Sequence, residues 1–134
     1  MYERIHGQIF KNNQNIIFMD KRSIRKKLEM EELERIIARY LAVVSRDVKI
    51  SDAFLFGSYA RGQAKADSDI DLCVISPDFG KDDIEEGQYL FKKTIGVDSR
   101  IEPVGYSVKS FDREESPLIA EIKKYGKRLA IAVR

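Results

Sequence analysis

The chain of 134 residues holds a single cysteine, Cys73, and a single histidine, His6. One cysteine excludes an intramolecular disulfide and fits a reducing compartment. Cys73 lies in an apolar stretch, where the ordinary role of a thiol is that of a small buried hydrophobe. His6 stands in the most weakly patterned segment, which argues against histidine-based metal or acid–base chemistry. Long apolar runs are missing too. No window approaches the roughly 20 apolar residues of a membrane span, and the first residues lack the apolar core of a secretory signal. No internal repeat or low-complexity linker interrupts the chain. The expectation is a cytoplasmic protein of one domain without membrane contact, long enough to bury a core without staples. Its 43% hydrophobic and 34% charged content agrees with that class.

Charge is nearly balanced overall, at +2, but unevenly spread. Residues 1–50 carry 11 Lys and Arg against 7 Asp and Glu, and the rest carry 13 against 15. The excess concentrates in Lys21-Arg22-Ser23-Ile24-Arg25-Lys26-Lys27. Such a run can mark a nucleic-acid or acidic-partner surface. No aromatic residue interleaves it, so a solvated helix start is the simpler reading and nucleic acid is not expected as a partner.

Residues 1–20 read as a weakly ordered arm or an accessory strand, and residues 21–134 as one domain. Leu33, Ile36, Ile37, Tyr40, Leu41 and Val44 follow the spacing of one apolar helical face, which predicts a helix over about 23–45. Ala53–Phe56, stopped by Gly57, reads as a buried strand, and Ile70–Ile75, ended by Ser76-Pro77, as a second. Residues 82–95 are expected to be helical, with Ile84, Leu90, Phe91 and Ile95 buried. Val97–Tyr106 is expected as a third strand. Ser116-Pro117 opens a helix with Leu118, Ile119 and Ile122 inward, Gly126 ends it, and Leu129–Val133 is the last strand. Alternating helices and strands of this kind imply an α/β (α+β) fold, a mixed sheet covered by helices.

The chemistry concentrates in Phe56-Gly57-Ser58-Tyr59-Ala60-Arg61-Gly62 and Asp67-Ser68-Asp69-Ile70-Asp71-Leu72. Two apart in a strand, Asp69 and Asp71 share a face about 7 Å apart, while Ile70 and Leu72 turn to the core. Paired carboxylates repel unless protons or cations intervene, and hard divalent ions such as Mg²⁺ answer that need. A glycine directly after a buried strand lets backbone approach a ligand, and the helix start that follows offers amides to an anion. Ser58 can add a hydroxyl to that grip. Alone, Gly-Ser is usually a turn and Asp-x-Asp a solvated pair. Four fixed residues at roughly 1 in 15 each occur together by chance in about 1 in 400 chains of this length. A phosphate grip facing metal-binding acids is the apparatus of phosphoryl or nucleotidyl transfer. Arg61 has two readings: it stabilises triphosphate charge, or it forms a salt bridge that shapes the loop.

Gly57-Ser58, ten residues, then Asp69-Ile70-Asp71, with Arg61-Gly62 and Ser68 inside, resembles the motif of the DNA polymerase beta-like nucleotidyltransferase superfamily. Within it the chain looks most like the minimal nucleotidyltransferases, and the resemblance covers about residues 30–132. It implies a mixed β-sheet flanked by helices, two Mg²⁺ ions, and transfer of NMP from an NTP, most often ATP, to an acceptor hydroxyl. It also implies a third carboxylate on a later strand, with Asp98 and Glu102 as candidates. The Tyr106-Ser107 turn that follows points to Glu102, a departure from the family's commoner Asp. Asp69, Asp71 and Glu102 are then the metal-binding and catalytic set, and Gly57, Ser58 and Arg61 the nucleotide-binding set. Minimal nucleotidyltransferases commonly pair with a small helical HEPN-type protein as antitoxin to toxin, which implies such a partner and an acceptor hydroxyl on it. Two alternatives stay open, a binding module that sequesters a partner and a free-standing small-molecule enzyme; so does a homo-oligomer.

Replacing Lys26 and Lys27 with glutamate is expected to leave nucleotide affinity and the circular dichroism spectrum unchanged. Nucleic-acid binding with steep salt dependence, lost in that double variant, would make the basic run functional instead.

Overall fold

A computed structural model describes the backbone of residues 21–130 and the side chains of residues 30–130. The expectations for residues 1–20, for His6 and for the side chains of the basic run lie outside the described residues. The chain forms two compact units, Met1–Arg35 and Ile36–Arg134, and the sheet belongs to the second. The order is α1 (Lys21–Val44), β1 (Asp52–Phe56), α2 (Gly57–Ala60), β2 (Ile70–Ser76), α3 (Asp83–Lys92), β3 (Ile101–Ser107), α4 (Val108–Asp112), α5 (Pro117–Tyr125) and β4 (Lys127–Arg128). The expected α/β architecture, a mixed sheet with helices, is what the chain adopts.

The sheet runs β3-β2-β1-β4. β1 lies antiparallel to both neighbours, and β2 lies parallel to β3. A parallel pair needs a long crossover, and α3 supplies it. Both faces of β2 are covered: Leu72, Cys73 and Val74 have no exposed surface. On one face Phe56, Cys73 and Ile75 pack with Phe111 of α4 and with Ile119 and Ile122 of α5. Alternation turns Leu72 and Val74 to the other face. There Gly105 lies beside Val74, in contact with Leu90 of α3 and Phe79. The Tyr40 hydroxyl donates to the Leu90 carbonyl at 2.7 Å, tying α1 to α3.

Local chemistry sets the helix starts. Asp82, Ser107 and Ser116 accept from Glu85, Ser110 and Ile119 backbone N–H groups, and Pro117 opens α5. The six apolar positions expected on α1 are all buried.

Four expectations are corrected. Of the set expected to be buried on the 82–95 helix, only Leu90 is; Ile84, Phe91 and Ile95 are 74%, 63% and 75% exposed. Gly105 brings α3 against the sheet through Leu90, and the opposite stripe turns to solvent. The third strand begins at Ile101, because residues 97–100 form a turn closed by Asp98. β2 begins at Ile70, so Asp69 stands just before it. The last strand comes two residues early: Lys127 and Arg128 pair with β1, and the Leu129 amide still donates to Ala53. Residues 131–134 lie outside the described residues.

Leu72→Ala should cost about 2–5 kcal/mol, the usual range for a truncation inside a packed core. Phe91→Ala should change stability by less than about 0.5 kcal/mol, as exposed substitutions do. Urea denaturation of dilute protein checks the contrast.

Candidate active site

β1 ends at Phe56 and the chain turns at Gly57 into the four-residue helix α2. Gly57 has φ +72°, a conformation costly for any side chain. Space demands glycine as well, because a β-carbon there would overlap the Asp71 carboxylate oxygen Oδ2. The first-turn amides of α2 have no carbonyl one turn back. The turn closes through the Gln63 amide donating to the Ser58 carbonyl at 2.9 Å, and the Ser58 hydroxyl makes no hydrogen bond among the described residues.

Register places the acids. Phe56 pairs with Asp71, and Asp71 pairs with Glu102 on the parallel strand beside it. Residues in register on neighbouring strands point the same way from backbones about 4.8 Å apart. Asp71 therefore stands on the face of Phe56 and Cys73, at the sheet end where the apolar cover stops. Asp69 and Glu102 are exposed and Asp71 is half-buried. Burial, then the charge of Glu102, then that of Asp69 raise the Asp71 carboxyl above its ordinary pKa. Two carboxylates thus press on a third, Asp71, at one sheet edge. They are not drawn into a closed cage: among the described residues no three Asp, Glu, His or Cys side chains converge as ready metal ligands. A carboxylate pressed by burial and like charge in this way is one whose charged form a cation would favour. Carboxylate oxygens also suit Mg²⁺.

Asp98, the other candidate for the third acid, is placed differently. Its carboxylate takes both ends of the Arg100 guanidinium at 2.9 Å and the Arg100 amide at 2.9 Å. The hydrogen bond from Arg100 holds its carboxyl below the ordinary range, with Arg39 adding a smaller pull. Asp98 thus shapes the turn before β3, while Glu102 stands in the strand opposite Asp71. The Arg100 carbonyl accepts from the Ile70 amide at 2.8 Å, which links that turn to the start of β2.

Arg61 ends α2. It reaches Glu121 at 3.6 Å and lies over the Tyr125 ring at 4.3 Å, so it ties the Gly57-Ser58 turn to α5. Neither partner is evident from the motif around Arg61. Their spacing of four on a helix, which puts them on one face, was the available signal. Cys73 is buried beneath the site, and burial pushes its thiol up to about 12. It is therefore inert at neutral pH.

A glycine-led turn against a carboxylate, in line with a second acid on the next strand, can seat phosphates beside bound cations. The family model for the nucleotidyltransferase domain matches residues 37–129, more than two thirds of the chain. The chain belongs to this family. A protein adenylyltransferase, MntA of Thermococcus cleftensis (strain DSM 27260 / KACC 17922 / CL1), is 38% identical over 47 residues, 35% of this chain and 48% of that protein. The chain thus matches about half the length of this curated relative. A crystal structure of a toxin–antitoxin with AMP-PNP matches at TM-score 0.53 and 26% identity, over 70% of this chain and 72% of that one. A structure from Sulfolobus solfataricus described as a candidate nucleotidyltransferase matches at TM-score 0.52 and 21% identity, over 71% and 82%; it supports the fold alone.

Because Asp98 has a depressed pKa when folded, its stabilisation is present above the unfolded pKa. It is lost as pH falls through the folded value. Asp98→Asn should therefore lower Tm at pH 7, with the gap to wild type closing in acid. A gap that stays constant with pH would mean that the Asp98–Arg100 ion pair contributes nothing.

Proposed function

We propose that this domain transfers AMP from ATP to a hydroxyl group on a small helical partner protein, as the antitoxin half of a HEPN-type toxin–antitoxin pair. The observation that carries the reading is the row of Gly57, Asp71 and Glu102 across three neighbouring chain segments. Its support in other proteins is the adenylyltransferase activity named for MntA and the toxin–antitoxin crystallised with AMP-PNP.

Asp69, Asp71 and Glu102 would hold Mg²⁺, two ions by the family resemblance. Bound there, Mg²⁺ supplies neutralisation of charge on the acids and the phosphates. The residues of the chain divide the remaining work. Gly57 lets backbone approach the β- and γ-phosphates, and Ser58 offers them a hydroxyl that no other group engages among the described residues. Arg61 holds that turn against α5 through Glu121 and Tyr125, close enough in sequence to add positive charge at the triphosphate. Glu102, exposed and opposite Asp71, accepts the proton of the acceptor hydroxyl as its oxygen bonds to the α-phosphorus and pyrophosphate departs. Positioning and charge neutralisation supply most of the rate.

Glu102→Gln should keep the fold and most ATP binding, and lose kcat by about 10²-fold or more, as removal of a positioned proton acceptor does. Asp98→Asn should retain transfer despite its lower Tm. Labelled AMP transfer to the partner protein, with thermal melts, checks both. The opposite pattern would move the third acid to Asp98. Absence of pyrophosphate release by wild type with its partner would favour a module that binds without turnover.

A further inference from the structure

α3 carries a surface that the nucleotidyltransferase site does not use. Ile84 and Phe91, seven residues apart, share one helical face, and Ile95 follows in the turn beyond Lys92. All three are more than 60% exposed, on a helix whose opposite side is anchored by fully buried Leu90. Gly87 lies on the same exposed side, in mid-helix. A β-carbon there would meet nothing within 4 Å, so no contact among the described residues calls for glycine. Helix interiors disfavour glycine unless something must approach closely. Ile84, Gly87, Gln88 and Phe91 stand at i, i+3, i+4 and i+7, the four corners of a hole that receives one large side chain from a facing helix.

The charges beside the stripe say which helix fits. Glu85 and Lys92, also seven apart, line one flank, both are exposed, and neither forms an ion pair among the described residues. Of the neighbouring charges, Glu86 accepts from the amides of residues 80–82, Asp82 caps the helix, and Lys93 pairs with Asp47, while Asp83 is exposed in the first turn, off the stripe. Two copies of α3 laid parallel would set Glu85 beside Glu85 and Lys92 beside Lys92. Laid antiparallel about a twofold axis, each Glu85 comes beside Lys92 of the other copy, twice over. Ile84 then faces Ile95 of the second copy, and each Phe91 enters the hole floored by Gly87 of the other. A twofold contact needs this self-complementarity, residue i meeting j and j meeting i.

We propose that α3 is a homodimer interface, on which a second copy of this chain docks antiparallel through Ile84, Phe91 and Ile95 with Glu85–Lys92 pairs at its edge. A single ten-residue helix offers less than the roughly 800 Å² per partner of a standard stable interface, so the association is weak and concentration-dependent. It is independent of the proposed reaction, since none of these residues stands at the acids or the Gly57 turn.

The test is sedimentation of the full chain from about 1 µM to about 1 mM. Wild type should pass from monomer to dimer in this range. Glu85→Lys and Lys92→Glu should each weaken dimerisation about tenfold, because both edge pairs become repulsive. An equimolar mixture of the two variants should regain near wild-type association, as its heterodimer restores both pairs. Gly87→Ala should melt at a higher temperature yet associate less, because its methyl group fills the hole. Wild type that stays monomeric throughout overturns the proposal. So do charge variants that associate as wild type does, or a mixture no better than either variant alone.

Discussion

Asp71 is the residue on which the arrangement depends, because it is charged, half-buried, and pressed by backbone and by like charge at once. The β1–β2 register brings it against Gly57, where no side chain can be tolerated. The β2–β3 register brings Glu102 beside it. Folding therefore assembles, at one sheet end, a glycine-led turn and a set of acids, and burial together with the two neighbouring charges raises the pKa of the central one. Each contact would be unfavourable in isolation. The burial of Ile70, Leu72, Cys73 and Val74 along the same strand holds them in place.

The surroundings of that strand serve the same end in different ways. Helices α4 and α5 cover the face of Phe56 and Cys73 and stop short of Asp71, leaving the acids at the margin of the apolar cover. Arg61 crosses from the turn to Glu121 and Tyr125, so the Gly57 segment is fixed at both its strand end and its helix end. Asp98 fixes the other approach. By closing the turn on Arg100, whose carbonyl takes the Ile70 amide, it sets where β3 begins and hence which residue falls opposite Asp71. The site is thus built of sheet register, with side-chain clamps on the two loops that enter it.

This division suits the chemistry proposed for the site. Catalysis by positioned charge needs few side chains but an accurate frame, and a four-stranded sheet with both central strands covered supplies one. The exposed stripe of α3 lies on a different element, so assembly through it leaves the acid edge open.

Much of this was written in the sequence. The spacing of Leu33 to Val44 announced a buried helical face, because an apolar stripe at helical period has only one way to leave water. Gly57-Ser58 and Asp69-x-Asp71 announced a glycine turn beside an edge of acids, because those residue types have few other reasons to occur together. What the sequence left open was direction. Ile84, Phe91 and Ile95 carry a helical period as good as that of Leu90, and period alone does not say which side of a helix meets the sheet; the bare backbone at Gly105 decided that by admitting Leu90 and Phe79. Asp98 and Glu102 were likewise indistinguishable by strand alternation. The family resemblance favoured Glu102 through the Tyr106-Ser107 turn, but the physical difference came with folding: Arg100 captured Asp98 in a turn and register set Glu102 beside Asp71, since hydrogen bonding across strands is a property of the folded sheet and not of any single segment.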